Sequence, residues 1–258
     1  MNTEELLLIK EFLESEHDRF NRPDFICNDP ISIPHKFSKK EDREIAGFLT
    51  ATISWGQRIT ILKNANWLME LMDGNPYAFL LQLKPRDLDR FEGFVHRTFN
   101  DVDCVYFIKC LSRLYVYEDG LHGLFRKSFL DSDMDFGMAI HRFRSGFFGK
   151  NLPGRSAKHF SDPMSNAAAK RICMYLRWMV RKDNRGVDFG IWNDIPTSLL
   201  VCPLDVHSGR VARELGILHR KQNDWKAAIE LTESLRYFDP KDPCRFDYSL
   251  FGGGVSER

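Results

Sequence analysis

The chain has 258 residues, 37 basic and 36 acidic side chains, and a net charge of +1. That length buries a substantial core in one large domain or two lobes. Near-neutrality excludes a surface that is basic throughout, so nucleic-acid binding needs a local patch, and the run Arg171, Arg177, Arg181, Lys182, Arg185 is the candidate. The six cysteines (Cys27, Cys104, Cys110, Cys173, Cys202, Cys244) form no C-x-x-C pair. Zinc and iron–sulfur spacings are therefore missing, and cytosolic free thiols are the expectation. Met1 leads into T-E-E and only four apolar residues. That is neither a signal peptide nor a membrane span, so a cytoplasmic location is expected.

The periodicity predicts an all-α fold. Residues 4–16 fit an amphipathic helix. Ser38-Lys39-Lys40-Glu41 has the capping-box pattern and opens a helix with Ile45, Phe48, Leu49 and Ile53 on one face. Gly56 interrupts it. A second helix runs from Ile59 to Met72 and stops at Asp73-Gly74-Asn75-Pro76. Further helices fit 101–117, 121–130, 134–147, 166–182, 206–217, 223–236 and 242–252, and no alternating run argues for a sheet. Residues 149–165 form the longest candidate loop.

The chemistry concentrates between Ser165 and Arg213. Lys170 falls in the first turn of the 166–182 helix, and Asp205 stands at the entrance of the next. An amine nucleophile attacking a sugar carbon needs such a pair: the lysine attacks, and the carboxylate manages protons and positive charge. Asp205 also reads as a plain helix cap contributing about 0.5–2 kcal/mol, and Lys170 as a solvated lysine. Gln57, beside Arg58, reads either as a group that fills a vacated duplex position or as a turn cap. Phe189, Trp192 and Trp178 read as a stacking platform for a base or as core. His207 reads as a phosphate contact or as a satisfied buried histidine.

Four segments, in order, resemble the helix-hairpin-helix DNA glycosylases, the superfamily of endonuclease III, the adenine glycosylase and the 8-oxoguanine glycosylases. The likeness covers roughly residues 40–255. P-L-D-V-H-S-G-R-V-A-R-E-L-G-I (203–217) resembles V-D-T-H-V-x-R-V-x-x-R-L-G, which holds the family's catalytic aspartate. A-A-A-K-R-I-C-M-Y-L (167–176) resembles the second hairpin helix, whose early lysine forms a Schiff base. G-F-L-T-A-T-I-S-W-G-Q-R-I-T (47–60) resembles the helix ending L-S-x-Q-x-x-D, and F-D-Y-S-L-F-G-G-G-V (246–255) the late helix ending A-L-M-D-L-G. More narrowly, the whole chain resembles an uncharacterised bacterial family, typical of Bacteroidetes, placed in this superfamily.

The chain also departs from the pattern. Leu152-Pro153-Gly154-Arg155-Ser156-Ala157-Lys158 copies the start of the hairpin L-P-G-V-G-x-K-T-A, but Pro163 prevents a regular helix behind it. Lys158 is thus the alternative to Lys170 as nucleophile. The turn before Lys170, Pro163-Met164-Ser165-Asn166, lacks the glycines. Lys170 and Asp205 lie 35 residues apart (205 − 170), a long insert shared with archaeal 8-oxoguanine glycosylases. The C-terminal iron–sulfur cysteines of endonuclease III are missing.

The resemblance implies a two-lobed helical DNA-glycosylase-like fold with a variant helix-hairpin-helix. One unit would span 1–258, with a wedge-bearing lobe at 38–148, a hairpin and catalytic segment at 149–217, and C-terminal helices at 218–258. It implies a base-excision N-glycosylase with an abasic-site lyase step, and Lys170 and Asp205 as the catalytic residues. Gln57, Arg58, Ser165, Asn166 and His207 would contact DNA, with the amides of Met164–Ala168 on a phosphate. Trp178, Phe189 and Trp192 would line the base pocket. The partner is duplex DNA with a damaged or abasic nucleotide, bound by a monomer, and no cofactor or metal is required. The competing readings are a non-catalytic helical nucleic-acid-binding protein that keeps the fold, and a helical scaffold with no DNA role.

Overall fold

The computed structural model describes residues 2–150 and 154–255, the last three through their backbone alone. It is mostly helical, and its contacts divide the chain into two compact units. One comprises Asn28–Ser161, the other Met1–Cys27 together with Asp162–Arg258. Nothing in the sequence marked the N-terminal helix as a partner of the C-terminal segment.

Helix α1 (Thr3–Phe20) opens with a capping box in which Asn2 and Glu5 each accept the other's amide, both at 2.8 Å. It outruns the expected 4–16 because His17 continues the buried stripe of Ile9 and Leu13 at i+4 spacing. Its Nδ1 bonds the Arg245 carbonyl at 2.9 Å, and its ring meets Tyr248 edge-on. Burial, then the charge of Arg245, lowers the His17 pKa to about 4, so the ring is neutral near pH 7. A short helix α2 (Pro23–Ile26) follows.

The unit Asn28–Ser161 holds α3 (Ser32–His35), α4 (Lys40–Thr52), α5 (Arg58–Leu71), α6 (Pro76–Leu81), α7 (Asp101–Tyr117), α8 (Gly120–Leu130) and α9 (Phe136–Phe148). A 3₁₀ turn spans Pro85–Phe91. Before α7, a two-residue ribbon pairs β1 (Val95–His96) with β2 (Phe99–Asn100), antiparallel. The expected capping box at Ser38 does not form: α4 starts at Lys40, and its cap residue Lys39 makes no side-chain cap bond. α7 matches its expected bounds because Asn100 and Asp103 close a real one. Phenylalanines from α4, α7 and α9 interlock at the core. Phe48 lies 4.9 Å from Phe147 and 5.7 Å from Phe160, and Phe107 lies 5.1 Å from Phe147. Such pairs contribute about 0.5–1.5 kcal/mol each beyond area burial.

The other unit continues with a 3₁₀ turn (Pro163–Ser165), α10 (Lys170–Val180), α11 (Val206–Glu214), α12 (Trp225–Phe238), a 3₁₀ turn (Pro243–Phe246) and α13 (Asp247–Val255). α10 is buried all round from Ile172 to Val180. α11 ends in a Schellman arrangement: Ile217 N–H bonds the Ala212 carbonyl at 3.0 Å and Gly216 N–H bonds Arg213 at 3.0 Å, with Gly216 at φ 71. α1 lies close on α13, where a Cβ on Gly252 would come within 2.0 Å of the Phe20 ring. Among the described residues no helix is long and apolar enough to cross a membrane.

Candidate active site

The expected helix 166–182 begins four residues late. Asp162 caps the 3₁₀ turn by accepting the Met164 amide at 2.9 Å, and Asn166 (φ 60) and Ala169 (φ 50) are both left-handed. An alanine in that conformation costs about 1–2 kcal/mol. The result places Lys170 at the first position of α10, its side chain 28% exposed.

Asp205 is the N-cap of α11, and its two oxygens have separate tasks. Oδ1 accepts the amides of His207 (2.8 Å) and Ser208 (3.0 Å), while Ser208 Oγ accepts the Asp205 amide at 3.0 Å. Oδ2 faces Lys170 Nζ at 3.3 Å. Burial pushes the carboxyl up, but the Lys170 charge and the two amides outweigh it and hold its pKa below the ordinary value. The Asp205 carbonyl is held by Asn223 Nδ2 at 3.1 Å, and Asn223 takes Arg213 Nη2 at 2.6 Å. Gly209 makes room for this chain: a Cβ there would sit 2.8 Å from both Asn223 Oδ1 and Arg213 Nη1.

A buried charge network lies along the same helix. Arg177, seven residues after Lys170 and so on the same face of α10, bonds Asp247 and lies 3.3 Å from Asp188. Arg181 meets Asp183 at 2.8 Å, Asp188 at 3.0 Å and Asp242 at 2.9 Å. This overturns the candidate basic patch. Arg177 and Arg181 are 5% and 2% exposed and are spent on internal acids, and Arg185 pairs with Asp18. Arg171 is half-buried, which pushes its pKa down to about 10, and of the five only Lys182 is exposed.

Other expected residues fall elsewhere. Asn166 is tied to the start of α12, and Ser165 into its own turn. Asn166 Nδ2 donates to Asp224 at 3.0 Å, its Oδ1 accepts the Lys226 amide at 3.3 Å, and Ser165 Oγ bonds the Asp162 carbonyl at 2.8 Å. The amides of Met164, Ser165, Asn166 and Ala167 all donate internally, so these four are not a phosphate cradle. Trp178 and Trp192 are fully buried and present no face for stacking. The return of residues 187–192 along the end of α10 seals them: Phe189 and Trp192 donate their amides to Trp178 and Met179 at 2.8 and 2.9 Å. Phe189 and His207 are half-buried. In the unit Asn28–Ser161, Gln57 is exposed at the start of α5 without capping it, next to the half-exposed Arg58 and the 83%-exposed Ile59. Lys158 is exposed in that same unit, on the 3₁₀ turn Ser156–His159, while Leu152 and Pro153 of the hairpin-like run lie outside the described residues.

Two clusters escaped the sequence reading. Asp247 begins α13, where a single helix 242–252 was expected, so a helix-start carboxylate looked like an interior one. In the other unit the wholly buried Asp103 accepts Ser156 Oγ at 2.7 Å and the Asn100 amide at 3.1 Å, with His159 at 3.3 Å and Arg155 at 3.4 Å. Among the described residues no group of three or more His, Cys, Asp or Glu is placed to hold a metal ion.

With this geometry in hand, the sequence matches the family described as Protein of unknown function (DUF2400) over residues 29–256. The chain belongs to the DUF2400 family. The matched span contains Lys170, Asp205 and Asp247 and leaves α1 outside it. No curated protein and no solved structure matches the DUF2400 chain.

Proposed function

We propose that this DUF2400 protein is a DNA base-excision N-glycosylase with an associated abasic-site lyase step, built on a glycosylase-like two-lobed fold with a variant helix-hairpin-helix. The observation that carries the reading is the approach of Lys170 Nζ to Asp205 Oδ2, 3.3 Å, at two helix starts in one unit. Resting, the two form a salt bridge, so the lysine gives its proton to solvent before it attacks. Its lone pair then bonds to sugar C1′ as the C1′–N bond breaks, and that electron pair leaves on the base, which takes a proton from solvent. The amine loses a proton, its lone pair forms the protonated imine as the C1′–O4′ bond breaks, and O4′ takes up a proton; removal of a C2′ proton then expels the 3′ phosphate. Asp205, kept ionised, stabilises the positive charge on the sugar.

Duplex DNA with a damaged or abasic nucleotide is the partner of this reading, with the exposed Gln57 and the half-exposed Arg58 among its contacts. A monomer working without a cofactor completes it. A second reading, a helical scaffold with no DNA role, is favoured by the internal pairing of Arg177 and Arg181. Borohydride trapping on a panel of lesion-bearing and abasic duplexes separates them. A covalent adduct supports the enzyme. Salt-sensitive binding without an adduct supports a non-catalytic nucleic-acid-binding protein. Neither adduct nor binding supports the scaffold.

A further inference from the structure

Behind the Lys170–Asp205 pair sits a second carboxylate that neither the sequence motifs nor the family match assigns. Asp247 is the first residue of α13 and is buried. Arg177 bonds its Oδ2, and Oδ1 faces Cys202 Sγ at 4.0 Å. Arg177 shares a helix face with Lys170, and Cys202 lies three residues before Asp205. Asp247 is therefore joined to the pair through both of the segments that carry it.

We propose that Asp247 is a positioning residue of this site, a second negative charge behind Lys170 and Asp205 that stabilises the cation formed there, on the sugar and then on the lysine imine. The proposal rests on the excision reading above. The buried surroundings give it weight. Arg177 and Arg181 bring two positive charges, against which stand Asp183, Asp188, Asp242 and Asp247. Lys170 and Asp205 cancel each other, so the cluster carries an excess of negative charge suited to a developing cation.

The two carboxylates of the site are also pushed apart, as they are where one stays ionised and another titrates. Burial raises the Asp247 pKa to about 6; Arg177 and Lys170 oppose the rise, and Asp205 and Asp188 add to it. Of the other groups in the cluster, burial also raises the Asp242 carboxyl, with Arg181 opposing the rise; the thiols, the phenol and the imidazole are silent in that window. On α10 and in the segment before α11, the Cys173 and Cys202 thiols are raised well above their usual value, as is the Tyr248 phenol on α13. On α1, His17 stands against Tyr248 and is already neutral.

The test is single-turnover cleavage of a duplex with one abasic site, followed against pH for wild type, Asp247→Asn and Asp247→Glu. The wild-type rate falls as pH drops through about 6. Asp247→Asn is slower by about tenfold or more at pH 7.5 and lacks the break at about 6, and Asp247→Glu restores it. An Asn variant that matches wild type, or that is slower yet keeps the same acid limb, overturns the proposal. A wild type that cleaves no abasic duplex defeats the excision reading instead, and a second measurement then decides. Carboxyl carbon resonance of Asp247 is titrated in wild type, Lys170→Met and Asp205→Asn, variants that leave Asp247 and Arg177 in place. The midpoint moves to higher pH in the first variant and lower in the second. A midpoint unmoved in both ends the proposal, including where Asp247→Asn fails to fold.

Discussion

Each unit has an aspartate at the head of a helix, and the two are used differently. Asp103, at the start of α7, is wholly buried, and its contacts all hold chain to chain: the cap at Asn100, the Ser156 hydroxyl, His159 and Arg155. Asp205 is 24% exposed, gives one oxygen to the cap and turns the other to a lysine that is itself 28% exposed. A carboxylate that only holds structure together is sealed and satisfied on both oxygens. A carboxylate available for chemistry keeps one oxygen for a partner and a route to solvent. The rule is general: an unmade bond to a buried acceptor costs the fold, whereas a half-open ion pair contributes little, about 0–1 kcal/mol.

The contrast is sharpest in substitutions. Lys170→Gln abolishes the borohydride adduct while leaving the fold intact, because an amide of similar length donates a hydrogen bond but forms no imine. Undiminished trapping by this variant breaks the comparison. Asp103→Ala has the opposite profile, lowering unfolding free energy by about 1–3 kcal/mol in urea titration, the cost of leaving the Ser156 hydroxyl and the Asn100 amide without their acceptor, with excision per folded molecule unchanged. Asp205→Asn raises the excision barrier by about 2.7–4 kcal/mol, by analogy with a lost oxyanion-hole donor, while stability falls by only about 0.3–1 kcal/mol, the loss of a charge at a helix start that asparagine still caps. If Asp205→Asn loses stability and keeps its rate, Asp205 is a cap and nothing more.

A smaller effect separates Asp103 from Asp247 by the sign of its pH dependence. Burial raises the Asp103 pKa, but Ser156, the Asn100 amide, His159 and Arg155 carry it below the usual 3.8. Its contribution to stability is therefore complete above pH 3.8 and is lost as pH falls through the lowered pKa. Asp247 runs the other way. With its pKa raised from 3.8 to about 6, the folded state holds a proton that the unfolded state has released, and stability falls as pH rises through that window. The slope is at most about one proton, or about 1.4 kcal/mol per pH unit. Melting curves of Asp247→Asn lose this pH 4–6 decline, and those of Asp103→Asn lose the acid-side one. The smallest effect is at Gln57, where alanine weakens binding to an abasic duplex more than to an intact one; equal weakening makes Gln57 structural.

The helices were legible where sequence carries its own punctuation. Asn100 and Asp103 fix the start of α7, and Gly216 with its neighbours fixes the end of α11. Asp205 was legible because it stands in a helix-cap pattern, and Lys170 because an apolar-faced helix runs on behind it. The four-residue delay of α10 was not, since Ala169 in a left-handed conformation has no sequence signal. Asp247 was hidden for a related reason: the Pro243–Phe246 turn preserves helical spacing, so periodicity ran through the break. The basic run misled because five cations at helical spacing look alike whether they face water or buried acids. Only the partners tell the difference: Asp183 and Asp188 come from the stretch just behind α10, and Asp242 and Asp247 from a distant segment.

The most direct measurement maps the covalent bond itself. Wild-type protein is incubated with an abasic duplex and borohydride, digested, and the modified peptide is sequenced by mass spectrometry. A reduced sugar adduct on Lys170 is the expected result. An adduct on Lys158, or no adduct on any duplex, contradicts it.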